Sequence, residues 1–175
     1  MTATNSGLMI PRRMLAILER DLIRVYGRDL SIRTLGKALF NPAVRAVLLV
    51  RASQSCKPFW YLLRGRLRRA YGIQVAQSAE IEGGLYLPHP LGIVICEGAL
   101  VREGATIFQG ATIALRHGEA PILAKDVTLL PGCVVAGGVT VGAGATVGAN
   151  TYVDRDVPPK SLAIRGGDLT FRGQG

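Results

Sequence analysis

Residues 123–153, LAKDVTLLPGCVVAGGVTVGAGATVGANTYV, decide the fold because they repeat with a fixed period. An aliphatic residue recurs at every sixth position, and a small or β-branched residue follows four positions after each of the first five. The aliphatic positions are Leu123, Leu129, Val135, Val141, Val147 and Val153. The positions four residues later are Val127, Cys133, Val139, Ala145 and Thr151. A six-residue period fits neither a helix nor simple strand alternation, so it indicates a short strand and a corner, repeated.

The same frame extends upstream and gives about thirteen repeats in all. The upstream repeats begin at Val75, Ile81, Leu87, Ile95, Val101, Ile107 and Ile113. Three such faces make one coil of a triangular prism, and stacked coils pair through parallel ladder hydrogen bonds around one shared core. The sequence therefore predicts a mainly β protein with a parallel β-helix of about four coils over residues 73–157.

The period fails at two places, and both contain a histidine. Leu87 is followed by Ile95 after eight residues, and Ile113 is followed by Leu123 after ten. The extra residues must leave the prism wall as loops. His89 lies in the first break and His117 in the second, and these are the only histidines in the chain. Irregular loops on a regular scaffold, carrying side chains that titrate near neutrality, are candidate functional positions.

Charge divides the chain near residue 72. Residues 1–72 carry 14 Lys and Arg against three acidic residues, whereas residues 73–175 carry 7 basic and 9 acidic residues. The basic half is predicted to be an α-helical N-terminal region with three helices. The first follows Pro11 and carries the apolar stripe Leu15, Leu18, Leu22 and Tyr26, and the others lie at Ala43–Ala52 and Lys57–Tyr71. Residues 158–175 are predicted to be a C-terminal tail. A basic half can attract an anionic partner, and a merely solvated Arg-rich helix is the equally simple alternative.

The cysteines and the apolar runs bear on metal binding, membrane spanning and cellular location. The chain has three cysteines, Cys56, Cys96 and Cys133. Their number is odd and their spacing is not that of a metal site, so no metal is expected. The apolar run Ala43–Val50 is too short to span a bilayer and is interrupted by Arg45. No secretory signal is evident at the N-terminus, which favours a cytoplasmic protein.

Several segments together resemble the hexapeptide-repeat acyltransferases, and more narrowly the serine acetyltransferase-like branch that includes members encoded among polysaccharide biosynthesis genes. They are LFNP at 39–42, YGIQ at 71–74, IEGGLYLPHPLGIVI at 81–95, FQGATI at 108–113 and DVPP at 156–159. The resemblance covers roughly residues 15–165. It implies a left-handed parallel β-helix, a homotrimer with active sites between neighbouring subunits, and acetyl-CoA as co-substrate along the prism.

The resemblance also implies roles for individual residues. His89 matches the catalytic histidine, which would take the proton of an acceptor hydroxyl as that oxygen attacks the thioester. Gln74 stands where the family has an aspartate that supports the histidine. Arg116 and His117 retain an Arg-His pair of the kind that contacts the acceptor, and Asp29 echoes an acceptor-binding aspartate of the helical part.

Two departures from the family bear on the acceptor. Gln74 can orient an imidazole but carries no charge, and Pro88 replaces an aspartate that helps hold the amino acid substrate. These changes favour a sugar or glycan hydroxyl as the acceptor, with serine O-acetylation in cysteine biosynthesis as the alternative.

Contacts to coenzyme A are expected from two groups of residues, one along the coils and one near the carboxy-terminal end. The first comprises Ala114, Pro131 and Ala149, and the second Lys160 and Arg165.

Other functions fit the sequence less well. A metal-dependent carbonic anhydrase on this scaffold needs three histidine ligands, and the chain has two. An ice-binding or purely structural β-helix would repeat without interruption. No motif for nucleic-acid binding accompanies the basic charge. From that charge alone we expect that the N-terminal helices can contact an anionic membrane or a lipid-linked glycan.

Overall fold

The structure, a computed structural model, describes residues 12–28, 31–38, 40–55, 60–166 and 168–173. Within these ranges four helices come first: α1 (Arg12–Tyr26), α2 (Ile32–Ala38), α3 (Pro42–Ser55) and α4 (Trp60–Tyr71). The Asn41 side chain caps α3 by accepting a 2.9 Å hydrogen bond from the Ala43 amide. Gly72, with φ of 64°, ends α4. Among the helices of the described ranges, none has the length and apolarity needed to cross a membrane.

The helical N-terminal region predicted from the sequence is confirmed, and it contains one helix more than expected. The helix expected after Pro11 corresponds to α1, and those expected at Ala43–Ala52 and Lys57–Tyr71 correspond to α3 and α4. Residues 57–59 of the last lie outside the described ranges. Helix α2 has only seven residues with Gly36 in its interior, so it offers too little periodicity to be recognised.

Fourteen strands follow in the described part of the chain, and all but the last two contain two or three residues. They are β1 (Gln74–Val75), β2 (Glu80–Ile81), β3 (Val94–Ile95), β4 (Leu100–Val101), β5 (Thr106–Ile107), β6 (Thr112–Ala114), β7 (Ile122–Leu123), β8 (Thr128–Leu129), β9 (Val134–Ala136), β10 (Thr140–Val141), β11 (Thr146–Val147), β12 (Tyr152–Val153), β13 (Ser161–Gly166) and β14 (Asp168–Gly173). The first sheet is ordered β1-β3-β6-β9-β12, the second β10-β7-β4-β2 and the third β14-β13-β11-β8-β5. Consecutive strands thus pass from sheet to sheet, which is a parallel β-helix of about four turns.

The residue offsets between paired strands record the two breaks. Ile95 pairs with Ile113, eighteen residues on, as three six-residue repeats require. Val75 pairs with Ile95 at an offset of twenty across the first break. Ile113 pairs with Val135 at an offset of twenty-two across the second. The extra residues therefore leave the register of the coils unchanged and project from the wall, as expected.

The core is the column of residues that the period selects. Every repeat-starting aliphatic residue is buried, and so are the small residues four positions later. Cys133 and Ala145, for example, are both 0% exposed. The inward positions are thus filled by aliphatic and small side chains at high packing density.

The β-helix extends beyond residue 157, where the sequence predicted only a tail. Val157 bridges to Val141, and β13 pairs in parallel with β11 before β14 folds back on it antiparallel. Val157 follows Val153 after four residues instead of six, and this short corner hides the continuing period. Val157 and Ala163 are nevertheless buried, as inward positions should be.

A buried ion pair fastens the helices to the β-helix. Arg51 of α3 contacts Asp21 of α1 through two nitrogens, at 2.8 and 3.0 Å. The same guanidinium donates to the carbonyl oxygens of Ile81 and Glu82, at 2.6 and 2.7 Å. Asp21 also accepts a 2.9 Å hydrogen bond from the Leu85 amide. We call this group the Asp21–Arg51 clamp, and it fixes two helices to the corner between the second and third sheets.

Candidate active site

The first break lies at the corner where the chain passes from the third sheet to the first. Left-handed residues stack along this corner, which we call the His89 corner: Gly72, Gly92, Gly110, Gly132 and Asn150. Each coil is tied to the preceding one by a hydrogen bond from the amide of the left-handed residue. The bond from Gly92 to Tyr71 is 2.8 Å long and the bond from Asn150 to Pro131 is 2.9 Å. Positive φ explains why glycine dominates here, since other residues pay a steric cost.

His89 lies near the N-terminal end of this corner, in the turn between Pro88 and Pro90. Its carbonyl oxygen accepts a 2.8 Å hydrogen bond from the Leu91 amide, which closes the turn. The imidazole is exposed, and its ring centroid lies 6.1 Å from that of Phe108. Within the described residues the imidazole makes no hydrogen bond. Both ring nitrogens are therefore available to a bound molecule.

Gln74 neighbours the His89 corner through the backbone ladder. Its amide donates to the Ile93 carbonyl at 2.8 Å, and it stands opposite Val94 in the first sheet. Its side chain is exposed and lines a groove against α4. No hydrogen bond joins Gln74 to His89 in the described part of the chain. Support of the imidazole by Gln74 stays a prediction.

The second break is a tight hairpin that presents His117. His117 and Gly118 both have positive φ, 54° and 82°. They form a two-residue turn between Arg116 and Glu119, which bridge antiparallel with two 3.1 Å hydrogen bonds. The His117 side chain is exposed at the tip. Histidine is among the few non-glycine residues that tolerate this conformation.

Arg116 already has a carboxylate partner. Its guanidinium lies 3.1 Å from Asp154, and both side chains are partly exposed. No sequence pattern singles out Asp154, because it follows an inward Val153 as an ordinary outward corner residue. An acceptor that contacts Arg116 would share the guanidinium with Asp154 or replace it.

The two breaks lie on opposite sides of the first sheet. The first precedes β3, which enters that sheet, and the second follows β6, which leaves it. A single chain therefore holds His89 and His117 at different corners and does not bring them together.

The residues expected to contact coenzyme A are also divided. Pro131 and Ala149 lie one coil apart on the His89 corner, as the hydrogen bond from Asn150 to Pro131 requires. Ala114 ends β6 on the opposite side of the first sheet. Lys160 is exposed at the corner between the second and third sheets, where its amide donates to Ala143. The side chain of Arg165, and Asp29 as a whole, lie outside the described residues.

The two cysteines in the described ranges, Cys96 and Cys133, carry no reactive signature. Burial raises the pKa of Cys133 to about 12, and burial also raises the pKa of Cys96. Both are therefore protonated at neutral pH and poor nucleophiles. Within the ranges described, no group of three or more His, Cys, Asp or Glu side chains could hold a metal ion.

Comparison with known proteins gives consistent similarities. Residues 120–155 match the family described as bacterial transferase hexapeptide (six repeats). The chain is 38% identical over 99 residues to a putative serine acetyltransferase of Schizosaccharomyces pombe, covering 54% of this chain and 37% of that protein. It is 32% identical over 155 residues to a serine acetyltransferase of Synechocystis, covering 83% and 62%. The chain thus spans less than two thirds of either relative.

A solved serine acetyltransferase in complex with CoA superposes with a TM-score of 0.74. The alignment covers 91% of this chain and 69% of that chain at 23% sequence identity, which establishes a common fold.

Proposed function

We propose that the chain is a hexapeptide-repeat acyltransferase that transfers an acetyl group from acetyl-CoA to a hydroxyl acceptor, with His89 as general base. Its similarity to the hexapeptide transferase family over residues 120–155 and to two serine acetyltransferases supports the proposal. The observation that carries the proposal is the position of His89. Its imidazole is exposed and without a hydrogen bond in the described residues. His89 lies near the N-terminal end of its corner, and Pro131 and Ala149 lie on later coils of the same corner, one coil apart. An extended pantetheine arm along that corner would end with its thioester near His89.

The chemistry requires a base because an alcohol is a weak nucleophile at neutral pH. In the proposed step the imidazole of His89 accepts the hydroxyl proton while the oxygen attacks the thioester carbonyl carbon. A backbone N–H group stabilises the oxyanion of the tetrahedral intermediate. Collapse breaks the carbon–sulfur bond and releases CoA, whose thiolate receives the proton from the imidazolium. The products are the acetyl ester and CoA, and His89 is again neutral.

We further propose a homotrimer, since the candidate residues are split between two corners. In a triangular assembly the His89 corner of one subunit can face the second-break hairpin of its neighbour. That arrangement would place Arg116 and His117 of the neighbour beside the acceptor. Light scattering coupled to size-exclusion chromatography tests it: a monomeric mass with full activity would contradict a shared site.

The acceptor has two candidates, and the names of the relatives favour L-serine. Both curated relatives are called serine acetyltransferases, one of them putatively. The second candidate is a sugar hydroxyl, supported by two residues. Gln74 cannot stabilise an imidazolium as a carboxylate does, and Pro88 offers nothing to the ammonium group of an amino acid.

Release of CoA thiol from acetyl-CoA tests the proposal. The assay would compare L-serine, several free sugars, sugar phosphates and nucleotide sugars, with an acceptor-free control. Turnover with serine alone would support serine O-acetylation, and turnover with sugars alone would support the second candidate. An absence of acceptor-dependent release with every compound in this panel would count against acetyl transfer to either class.

A further inference from the structure

A groove that the proposed mechanism does not use lies between α4 and the start of the first sheet. Its volume is about 260 Å³. Helix α4 contributes Trp60, Tyr61, Arg64, Gly65 and Arg68 to its wall, and the first sheet contributes Ile73 and Gln74. We call it the arginine groove. Gly65, next to Arg64 in the chain, adds no side chain to this wall and so leaves room in the groove.

The groove carries positive charge that the described residues do not neutralise. Arg64 and Arg68 are one helical turn apart and form no ion pair within the described ranges. The surrounding sequence offers no carboxylate either, because residues 30–79 contain nine Lys and Arg but no Asp or Glu. Two unpaired guanidinium groups beside one cavity favour a ligand with a concentrated negative charge.

Aromatic rings hold one of these arginines and offer a surface beside it. The Arg64 guanidinium carbon lies 4.9 Å from the centroid of the Trp60 ring. This cation–π contact orients the arginine before any ligand binds. The Tyr61 ring stands edge-on to Trp60 at 4.7 Å and is itself 76% exposed. An exposed aromatic face next to oriented arginines suits a ring that carries an anionic group.

The groove adjoins the proposed active site. Gln74 is shared between the groove wall and the strand that pairs with residues after the His89 turn. Tyr71, the last residue of α4, accepts a hydrogen bond from Gly92 of the His89 corner. A ligand extending from the groove toward Gln74 therefore approaches the turn that carries His89.

We propose that the arginine groove binds the phosphate group of a phosphorylated sugar, which is then the acceptor class of the transferase. This inference rests on the proposed function and decides between its two acceptors. Planar guanidinium groups pair with phosphate oxygens through two hydrogen bonds at once. The sugar ring packs on Tyr61, and its hydroxyls point toward the His89 corner. L-Serine, a small zwitterion, has neither a phosphate for the arginines nor a ring for Tyr61.

Trp60 makes the test specific, because it is the single tryptophan of the chain. Tryptophan fluorescence, supported by calorimetry, would be titrated with glucose 1-phosphate, uridine diphosphate glucose, glucose and inorganic phosphate, all without acetyl-CoA. We expect saturable binding of the two phosphorylated sugars and none of glucose. Arg64→Gln and Arg68→Gln should each weaken that binding by roughly tenfold. Arg66→Gln is the matched control, since Arg66 is exposed on the same helix and does not line the groove.

The inference would be overturned by equal affinity for glucose and its phosphate, by equal losses in Arg66→Gln and Arg64→Gln, or by inorganic phosphate binding as tightly as the phosphorylated sugars. Circular dichroism melts of each variant separate a lost contact from a lost fold. The proposed function fails separately. His89→Ala should keep the binding of glucose 1-phosphate and lose turnover. A wild-type protein that turns over serine but binds neither phosphorylated sugar refutes only the groove.

Discussion

Replacing Arg51 by methionine would break the Asp21–Arg51 clamp without changing the length of the side chain much. Arg51 makes four hydrogen bonds, two to the Asp21 carboxylate and two to carbonyl oxygens of the β-helix. The side chains of Arg51 and Asp21 are 3% and 5% exposed. After the substitution the carboxylate keeps, among the described residues, only its bond from the Leu85 amide, so a buried charge loses its counter-ion.

The size of the expected loss of stability follows from the burial of the ion pair. Removing one partner of a buried ion pair costs about 3–5 kcal/mol, because the remaining charge stays desolvated. For a chain of 175 residues, each kcal/mol lowers the melting temperature by roughly 2–4 °C. We therefore expect Arg51→Met to lower the melting temperature by roughly 6–20 °C. The double variant Asp21→Leu/Arg51→Met should recover much of that loss, since it removes the unpaired charge.

Thermal and urea unfolding followed by circular dichroism measure the effect. Arg102→Met is the matched control, because Arg102 pairs with Glu82 at 2.9 Å but the two side chains are 41% and 40% exposed. An exposed pair contributes at most about 1 kcal/mol. Equal destabilisation by Arg51→Met and Arg102→Met, or a double variant less stable than Arg51→Met, would refute the argument.

Two further predictions concern the corners and the thiols. Gly110→Ala should lower the free energy of unfolding by about 1–2 kcal/mol, because φ is 69° at that corner. Gly36→Ala, inside α2, should raise it by about 0.5–1 kcal/mol. Urea unfolding that shifts the free energy in the same direction for both variants would contradict this. Cys133, whose pKa burial raises to about 12, should resist iodoacetamide in the native protein at pH 8 and react once urea unfolds it, as measured by mass spectrometry. Labelling of native Cys133 faster than Cys96 would show that the core is open.

The coils could be predicted from the sequence because their cause is local. Each repeat places one aliphatic residue, such as Leu129, on the inside, and burial of that residue is what closes the coil. The same rule located both breaks, since an offset other than six forces a loop. The short corner before Val157 gives no such signal, because Val157 follows Val153 after four residues and not six.

The site was less predictable because its geometry is not local. His89 was recognisable as the sole histidine of its loop, but the partner of Arg116 is Asp154, thirty-eight residues away. No pattern in the sequence connects those two positions. The arginine groove had a signal in the spacing of Trp60, Arg64 and Arg68, since residues four apart share a helix face. Its other wall, Gln74, becomes visible only once α4 is placed against β1.

Acetyl transfer catalysed by His89 is the central claim, and one comparison tests it most directly. CoA release from acetyl-CoA would be measured for the wild-type protein and His89→Ala, with the best acceptor of the panel. Loss of a general base lowers turnover by roughly 10²–10⁴-fold, and the exposed position of His89 predicts an unchanged melting temperature and mass in the variant. Turnover by His89→Ala within a few-fold of the wild-type rate would contradict the account.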